Sequence, residues 1–437
     1  MLLLEGGGTE YSDRSQALYA CRETARNAWP ATSRLRYLGG TSNHWSGRCR
    51  PFESSDFDAP YYGDMPGWPI EYAEIAPYLP EAMRILDIPE TGFQAINPPL
   101  DSEHFVADAF ASSSPTRFGV KYRAVLEHHD GIDLYVNANA RELKEDRNGA
   151  IESVAARNYD GVDHVFRSAR FVLAMGAIEN ARFLLNQTGR HADGIGNQTG
   201  MVGRCFMEHM NIKLGEFVLR DPRASGPFQY FTAEALVRKQ HIGKANVTLG
   251  VIETIKSYGR TAAIKTFFKN LACDWSIADK VRFIADFDCP GTGVLGTLME
   301  QVAGKHSRVS LTDEIDAVGL RKAQLHWDIA DKDLRTIKTV AMELAKVFAE
   351  SGLGVIRLEQ DVLEGSPNLL ISPHAHHMGT TRMAATPEFG VVDENCRVFG
   401  ADNLYIAGSS LFATGGASNP TMPIIQFALR LADHLSA

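Results

Sequence analysis

The sequence predicts an α/β fold in two parts: a doubly wound nucleotide-binding part and an α+β part on a mostly antiparallel sheet. The apolar run Met1–Leu4 ends in Glu5 and a glycine triplet, as the second strand of a dinucleotide-binding unit does. Phe171–Ala174 reads as a strand that leads through a glycine turn into a helix over Glu179–Asn186, which is typical of a doubly wound crossover. Between residues 212 and 367, alternating stretches indicate antiparallel strands instead.

The other segments fit the same two parts. Residues 150–167 alternate around Asp160-Gly161 as a β-hairpin does. Residues 333–350 predict a helix whose apolar side chains share one face, which is most simply its core face. The chain closes with a short strand over 403–407, a Gly/Ser-rich loop and a helix from Pro420 or Thr421 to Leu435.

The length of the chain, 437 residues, exceeds the usual span of one compact core, so two domains are expected. The patterns place a discontinuous nucleotide-binding domain at residues 1–60, 115–215 and 368–437. A connecting or lid segment would cover 61–114, and the second domain would cover 216–367.

Composition excludes several classes of protein. A net charge of −9 and a pI near 5.9 argue against nucleic-acid or anionic-membrane partners. The apolar runs fall short of the ~18–20 residues that cross a bilayer, and no signal-peptide pattern opens the chain, so a cytoplasmic location is the default expectation. The cysteines form no Cys-x-x-Cys pair, so neither zinc nor iron–sulfur ligation is indicated; they are Cys21, Cys49, Cys205, Cys273, Cys289 and Cys396.

Two glycine- or helix-associated stretches could approach a cofactor. In Leu38–Trp45, paired glycines precede small hydroxyl residues, which lets the backbone lie against a planar or phosphorylated group. In Ala417–Met422, an Asn-Pro pair opens a helix, whose N-terminus carries unpaired N–H donors and a partial positive charge. Taken alone, each stretch is better explained as an ordinary turn or helix start.

A third stretch, Ser372–Met383, contains the histidines His374, His376 and His377. Three uses are open for them: metal ligation, a structural cluster, or acid/base chemistry. Imidazole is a common metal ligand, but no nearby carboxylate or cysteine completes a ligand set at the usual spacing. The acid/base interpretation is therefore favoured, and no metal site is predicted.

These three stretches, in their order along the chain, resemble the glucose-methanol-choline (GMC) oxidoreductase family, in particular its bacterial sugar- and pyranose-oxidising branch. The resemblance runs from Leu2 to the C-terminus. It implies a glutathione-reductase-like FAD-binding domain and a substrate-binding domain. Further matching stretches are Gly67-Trp68-Pro69-Ile70, Val172–Glu179, Val202–His209, Ser307-Arg308-Val309, Gly390-Val391-Val392-Asp393, Arg397-Val398 and Asn403-Leu404-Tyr405.

The resemblance also implies catalytic roles. His376 begins a His-x-x-Gly-Thr motif, where the family keeps its catalytic histidine, and Asn419 occupies the second catalytic position. An alcohol carbon releases hydride only as its O–H proton is removed, and an imidazole can accept that proton near neutral pH. The Asn419 amide would hydrogen-bond the developing alkoxide, and the flavin would accept the hydride.

Residues that would hold FAD follow from the same resemblance. Glu5 would bind the ribose, and the backbone at Ala140 would meet the adenine edge. His44 resembles the position at which pyranose oxidases attach flavin covalently, although related dehydrogenases bind it there without a bond. Gly408 departs from the acidic residue of many relatives, which puts that contact in doubt. The other expected contacts are Gly39, Gly40, Thr41, Ser42, Asn43, Gly176, Ser409, Thr421 and Met422.

The family's first strand and its Gly-x-Gly-x-x-Gly turn have no counterpart before Met1. Three explanations are open: a reading frame that starts upstream, a partner chain that supplies the element, or a degraded relative. Two hypotheses therefore follow from the sequence. One is an FAD-dependent enzyme that oxidises a sugar or other alcohol and passes electrons to oxygen, a quinone or a cytochrome. The other is a non-catalytic or partner-dependent remnant that binds flavin poorly.

Overall fold

The computed structural model describes residues 1–58, 63–90, 92–93, 100, 103–221, 228–251 and 291–437; Cys273 and Cys289 lie outside them. The α-helices of these residues are α1 (Asp13–Gln16), α2 (Leu79–Ile85), α3 (Phe118–Lys121), α4 (Arg123–His128), α5 (Ala177–Leu185), α6 (Glu234–Gln240), α7 (Asp331–Glu350), α8 (Gln360–Glu364) and α9 (Thr421–Ser436). The strands are β1 (Leu2–Leu4), β2 (Cys21–Glu23), β3 (Arg48–Cys49), β4 (Phe105–Ala107), β5 (Ala111–Ser112), β6 (Asp133–Tyr135), β7 (Asn139–Glu145), β8 (Ile151–Arg157), β9 (Asp163–Arg167), β10 (Phe171–Leu173), β11 (Met210–Asn211), β12 (Gly215–Leu219), β13 (Phe228–Thr232), β14 (Ala245–Val251), β15 (Thr292–Met299), β16 (Arg308–Ile315), β17 (Arg321–His326), β18 (Gly354–Leu358), β19 (Ser372–Pro373) and β20 (Leu404–Ile406).

Two parallel strand pairs carry the nucleotide-binding pattern. β1 pairs with β6, with Leu3 opposite Leu134, which confirms the strand predicted at Met1–Leu4. β10 pairs with β20 in the same parallel sense. Ligands of open parallel sheets bind beyond the carboxyl ends of the strands. Glu5, Gly176 and Gly408 all follow such ends.

The turn between β10 and α5 is built around Gly176, which adopts φ 84° and begins the helix. Most side chains of α5 are buried, and Ile178 and Leu184 are fully so, because the helix packs on both sides. Asn180 anchors this turn: its Oδ1 accepts the Met175 N–H at 2.9 Å, and its Nδ2 donates to Ser410 Oγ at 3.0 Å. The predicted strand–glycine–helix unit is confirmed and is tied to the segment that follows β20.

A large antiparallel sheet forms the second part, with the strand order β18-β12-β15-β14-β13-β4. The predicted helix at 333–350 is α7, which begins two residues earlier. Its Ile337, Ala341, Leu344 and Phe348 are buried, as the predicted core face requires. Phe348 packs edge-on against Phe217 of β12, with ring centroids 6.3 Å apart, so α7 covers one face of the sheet.

Short pairings join the two parts. β11 pairs with both β15 and β19, so that residues on either side of the expected limit at 215 share one sheet. β2 likewise pairs in parallel with β17. The domain limits themselves stay a prediction. What matters for function is that β11 and β19 bring the segment before Met210 beside the histidines that follow Pro373.

The predicted hairpin at 150–167 is also confirmed, as β8 and β9 pair antiparallel on either side of the turn at Asp160-Gly161. β7 adds a third strand to this sheet. Among the described residues, no helix is both long and apolar enough to cross a bilayer.

Candidate active site

The histidine loop His374–His377 is held in place by the segment Met207–Met210. The backbones of Met207 and Met378 exchange two hydrogen bonds of 3.0 Å, and Met210 pairs with Pro373. Between these two points of pairing, the segment that contains the histidines is longer than the segment opposite it. Ala375 takes a left-handed φ of 63° there. The extra residues project as a loop with its backbone N–H groups turned inwards.

Glu208, a fully buried carboxyl group, binds the backbone of this loop. Its two oxygens lie 2.7 and 2.9 Å from the His376 backbone nitrogen, and Oε1 also accepts the His209 N–H at 2.8 Å. Burial raises the pKa of Glu208 to about 8, although these N–H donors act in the opposite direction. The carboxyl group therefore positions the main chain of His376.

The ring of His376 has a partner on each nitrogen. Its Nδ1 lies 2.8 Å from Nδ1 of His209, and its Nε2 lies 3.1 Å from the Asn419 side-chain nitrogen. Asn419 immediately precedes Pro420, the N-cap residue of α9. The two residues predicted to be catalytic, 43 positions apart in the chain, are thus in hydrogen-bond contact.

Each of the neighbouring histidines has one ring nitrogen within hydrogen-bond distance of a backbone carbonyl oxygen. Nε2 of His374 lies 2.7 Å from the Thr297 oxygen, and Nε2 of His377 lies 3.1 Å from the Ala28 oxygen. Within the described ranges, no three side chains of His, Cys, Asp or Glu converge as metal ligands. The arrangement is one of hydrogen bonds to the main chain.

Burial keeps these imidazoles neutral. It lowers the pKa of His209 to about 3 and that of His377 to about 4, since an ion would lose its hydration there. Burial is also the main cause that holds the pKa of His376 well below 6.5, and the neighbouring histidines add to it. At neutral pH, one ring nitrogen of His376 therefore carries no hydrogen, so the ring can act as a base.

Gly176 and Gly408 form a cradle that suits a cofactor. Both have positive φ, 84° and 107°, and no atom lies within 4 Å of the place that a Cβ would occupy on either residue. They follow adjacent parallel strands, β10 and β20. Ser409 links this cradle to the histidine loop, because its hydroxyl donates to the His377 carbonyl at 2.7 Å. The open space beyond two strand ends fits a bound dinucleotide such as FAD.

The residues predicted to bind the adenosine end of the cofactor lie together. The Glu5 side chain accepts the Gly7 N–H at 2.6 Å, and its backbone carbonyl accepts the Ala138 N–H at 2.9 Å. Ala140 lies two residues further along, in β7, opposite Ala156. The structure therefore brings Glu5 close to the Ala140 segment at the end of β1.

The predicted glycine stretch forms a 3₁₀ turn over Gly40–Asn43. Gly39, at φ 93°, packs against Gly119, whose nitrogen would lie 2.5 Å from an added Cβ, so this glycine serves a close approach of two chain segments. The Ser42 hydroxyl donates to the Gly39 carbonyl at 2.6 Å. Thr41 and His44 are exposed at the surface of this turn.

The same turn meets the start of α9. Trp45 packs against the small buried cluster that contains Met422, and Thr421 is the first residue of the helix. Nε2 of His44 lies 3.2 Å from the Ser33 carbonyl oxygen. Residues 39–45 and the N-terminus of α9 therefore lie on neighbouring elements, although they are far apart in the sequence.

Glu208 and His209, which no sequence motif marked as functional, lie against His376 in the structure. A signal was present, since these two polar residues interrupt the apolar run Phe206-Met207 and Met210. Arg382 proves to be structural: it is buried and donates to backbone carbonyls, including that of Phe389 at 3.1 Å.

Comparison with known proteins finds similarity to oxidoreductases over most of the chain. Residues 303–428 match the GMC oxidoreductase family. The chain is 26% identical to paromamine 6'-oxidase from Streptomyces fradiae, over 92% of this chain and 79% of the relative. It is 24% identical to 2-methyl-1,2-propanediol dehydrogenase from Mycolicibacterium austroafricanum, over 92% and 81%.

A solved structure supports the fold. The chain aligns with pyridoxine 4-oxidase from Mesorbium loti at a TM-score of 0.59 and 14% identity, covering 100% of this chain and 94% of the other. The family match covers the histidine loop, Asn419 and all of α7. Residues 303–428 therefore match the GMC oxidoreductase family, and the chain is similar to an oxidase and a dehydrogenase over 92% of its length.

Proposed function

We propose that this chain is a GMC oxidoreductase that uses FAD to oxidise a CH–OH group of a sugar or another alcohol, with His376 as the base. The observation that carries the proposal is the contact between His376 and Asn419 at 3.1 Å, in a buried site where the imidazole is neutral. The names of the two relatives, a paromamine oxidase and a propanediol dehydrogenase, favour a hydroxyl-bearing substrate. Because one is an oxidase and the other a dehydrogenase, oxygen, a quinone and a cytochrome all remain open as acceptors.

In this mechanism the substrate hydroxyl binds beside His376 and Asn419. The His376 imidazole takes the hydroxyl proton, and the Asn419 amide donates a hydrogen bond to the oxygen as it gains negative charge. When bound, the flavin supplies the acceptor for the hydride that leaves the carbinol carbon. Glu208 and the backbone of the histidine loop keep the base in position throughout.

Several residues would hold the cofactor. Glu5 and the backbone at Ala140 would bind the adenosine end, while Gly176 and Gly408 would admit the dinucleotide beyond the strands β10 and β20. The N–H donors at the start of α9 would stabilise negative charge on the isoalloxazine. The remaining expected contacts are Gly39, Gly40, Thr41, Ser42, Asn43, His44, Ser409, Thr421 and Met422.

The test begins with the purified chain. Oxidised flavin absorbs in the near ultraviolet and the blue, so a visible spectrum shows whether the chain binds it. Acid precipitation of the same sample then distinguishes the two modes of binding: retention in the pellet indicates a covalent bond, as expected for attachment at His44, and release shows non-covalent binding. A folded chain that carries no flavin and cannot be loaded with it would favour the partner-dependent remnant instead.

The role of His376 is tested by anaerobic stopped-flow mixing with amino sugars and diols. His376→Gln should slow flavin reduction by ~10²–10⁴-fold, as loss of a general base does, with unchanged flavin content. His164→Gln, at an exposed position in β9, is the matched control and should react as the unmodified protein does. Wild-type reduction rates in His376→Gln would show that His376 is not the base.

A further inference from the structure

His209 lies between the backbone of the Gly415-Gly416 turn and the ring of His376, and it is fully buried. Its Nε2 lies 2.8 Å from the Gly416 oxygen and 3.2 Å from the Gly415 oxygen. A carbonyl oxygen can only accept a hydrogen bond, so Nε2 of His209 must carry the hydrogen.

The other nitrogen of His209 is then an acceptor. Burial keeps the ring neutral, and a neutral imidazole has one N–H group. Its Nδ1 therefore has a lone pair, directed at Nδ1 of His376 at 2.8 Å. Two lone pairs facing each other at that distance would repel, so Nδ1 of His376 must be the donor. Its Nε2 is left without a hydrogen.

Asn419 leads independently to the same tautomer. Its side-chain Nδ2 can only donate, and it lies 3.1 Å from Nε2 of His376. Nε2 must accept that hydrogen bond. The flanking His374 and His377 each have a backbone carbonyl near Nε2, whereas both ring nitrogens of His376 have side-chain partners.

We propose that His209 is a positioning residue that fixes the tautomer of His376, so that Nε2 is the atom that accepts the substrate proton. This inference deepens the proposed function and rests on it. As the alcohol O–H bond breaks, a new Nε2–H bond forms, and the Nδ1 hydrogen stays between the two rings. The hydride goes to the flavin, as in the proposed function. His209 thus does what a carboxylate does for the histidine of a serine-protease triad, but without a negative charge.

The test compares two replacements of His209. His209→Gln retains both functions, because its amide can donate to the Gly416 carbonyl and accept from Nδ1 of His376. His209→Leu fills similar space and does neither. Nitrogen-15 NMR of histidine-labelled protein, as purified, distinguishes protonated from unprotonated ring nitrogens, and the His376 signals are assigned by their loss in His376→Gln.

We expect the Nδ1–H tautomer of His376 in the unmodified protein and in His209→Gln, and an increased Nε2–H population in His209→Leu. Flavin reduction should fall by ~10²–10⁴-fold in His209→Leu, since a wrong tautomer costs a serine protease ~10⁴-fold, and largely recover in His209→Gln. A merely structural role would not restore both the tautomer and the rate in the glutamine variant.

An Nε2–H tautomer of His376 in the unmodified protein would overturn the inference without any variant. So would an unchanged tautomer in folded His209→Leu. The NMR reading needs no substrate, so it separates this inference from the proposed function: full flavin reduction in His376→Gln would remove the catalytic role and leave the tautomer result standing.

Discussion

At the scale of single residues, Asn419 is the side chain whose role is most directly testable. Asn419→Ala removes the donor 3.1 Å from Nε2 of His376, and with it the proposed hydrogen bond to the substrate oxygen. We expect flavin reduction to slow by ~10²–10³-fold, as on removal of an oxyanion donor, while flavin content is retained. Anaerobic stopped-flow absorbance measures this step alone.

A matched control is Asn158→Ala, which removes an amide that accepts backbone N–H groups in the turn between β8 and β9. This variant also loses hydrogen bonds, but far from the histidine loop. It should lose some stability and keep its reduction rate. Equal rates in the two variants would exclude Asn419 from the chemistry.

At the scale of elements, the strand-to-turn connections after β10 and β20 form the proposed cradle. Gly408, at φ 107° and ψ −178°, occupies a region that is essentially limited to glycine. Gly408→Ala should cost ~1–3 kcal/mol of stability through strain and should also reduce flavin content, because the methyl group would enter the open space. Flavin absorbance per protein and urea unfolding measure the two effects.

Gly149→Ala is the control for strain alone. Gly149 also has positive φ, 93°, and open space around its missing side chain, but it lies in the turn between β7 and β8. It should lose stability and keep its flavin. If Gly408→Ala binds flavin as fully as this control, Gly408 does not face the cofactor.

At the scale of the whole molecule, buried ionisable groups determine how stability depends on pH. The pKa values of His209, His374, His376 and His377 lie below 6.5, so under acidic conditions the unfolded chain binds protons that the native chain does not. Stability therefore falls as the pH drops below 6.5. Burial raises the pKa of Glu208 to about 8 and of Asp333 to about 7, so these two groups oppose the four histidines and remove stability as the pH rises.

Between about pH 5.5 and 8, these are the described groups with resolved pKa shifts. We expect maximal stability near pH 6.5. On either side of that pH, the free energy of unfolding should change by ~1.4 kcal/mol per pH unit for each proton by which the unfolded and native chains differ. Midpoints of urea unfolding from pH 5 to 9 measure it. Glu208→Gln should reduce the loss of stability above pH 6.5. Glu142→Gln, at an exposed position in β7, should not. Stability that rises steadily from pH 6.5 to 8 would contradict this account.

Much of the local structure was predictable because it depends on short-range patterns. The strand at β1, the turn at Gly176, the hairpin β8–β9 and the helix α7 all follow from apolar periodicity and turn residues. His376 and Asn419 could be selected as well, because the motifs that resemble those of the family are contiguous in the sequence. The roles of Glu208 and His209 were not recognised, since nothing in a buried Glu-His pair indicates which loop it will contact.

By itself, the sequence predicted several secondary-structure elements and the two-part fold and, through its resemblance to a family, the candidate pair His376 and Asn419. Only the tertiary structure decided how those residues are used. The pairing of β11 with β19 places His209 against His376, and the direction of each hydrogen bond then specifies which nitrogen is free. The physical reason is that tautomers and pKa values depend on burial and on partners across the fold, which residue order does not encode.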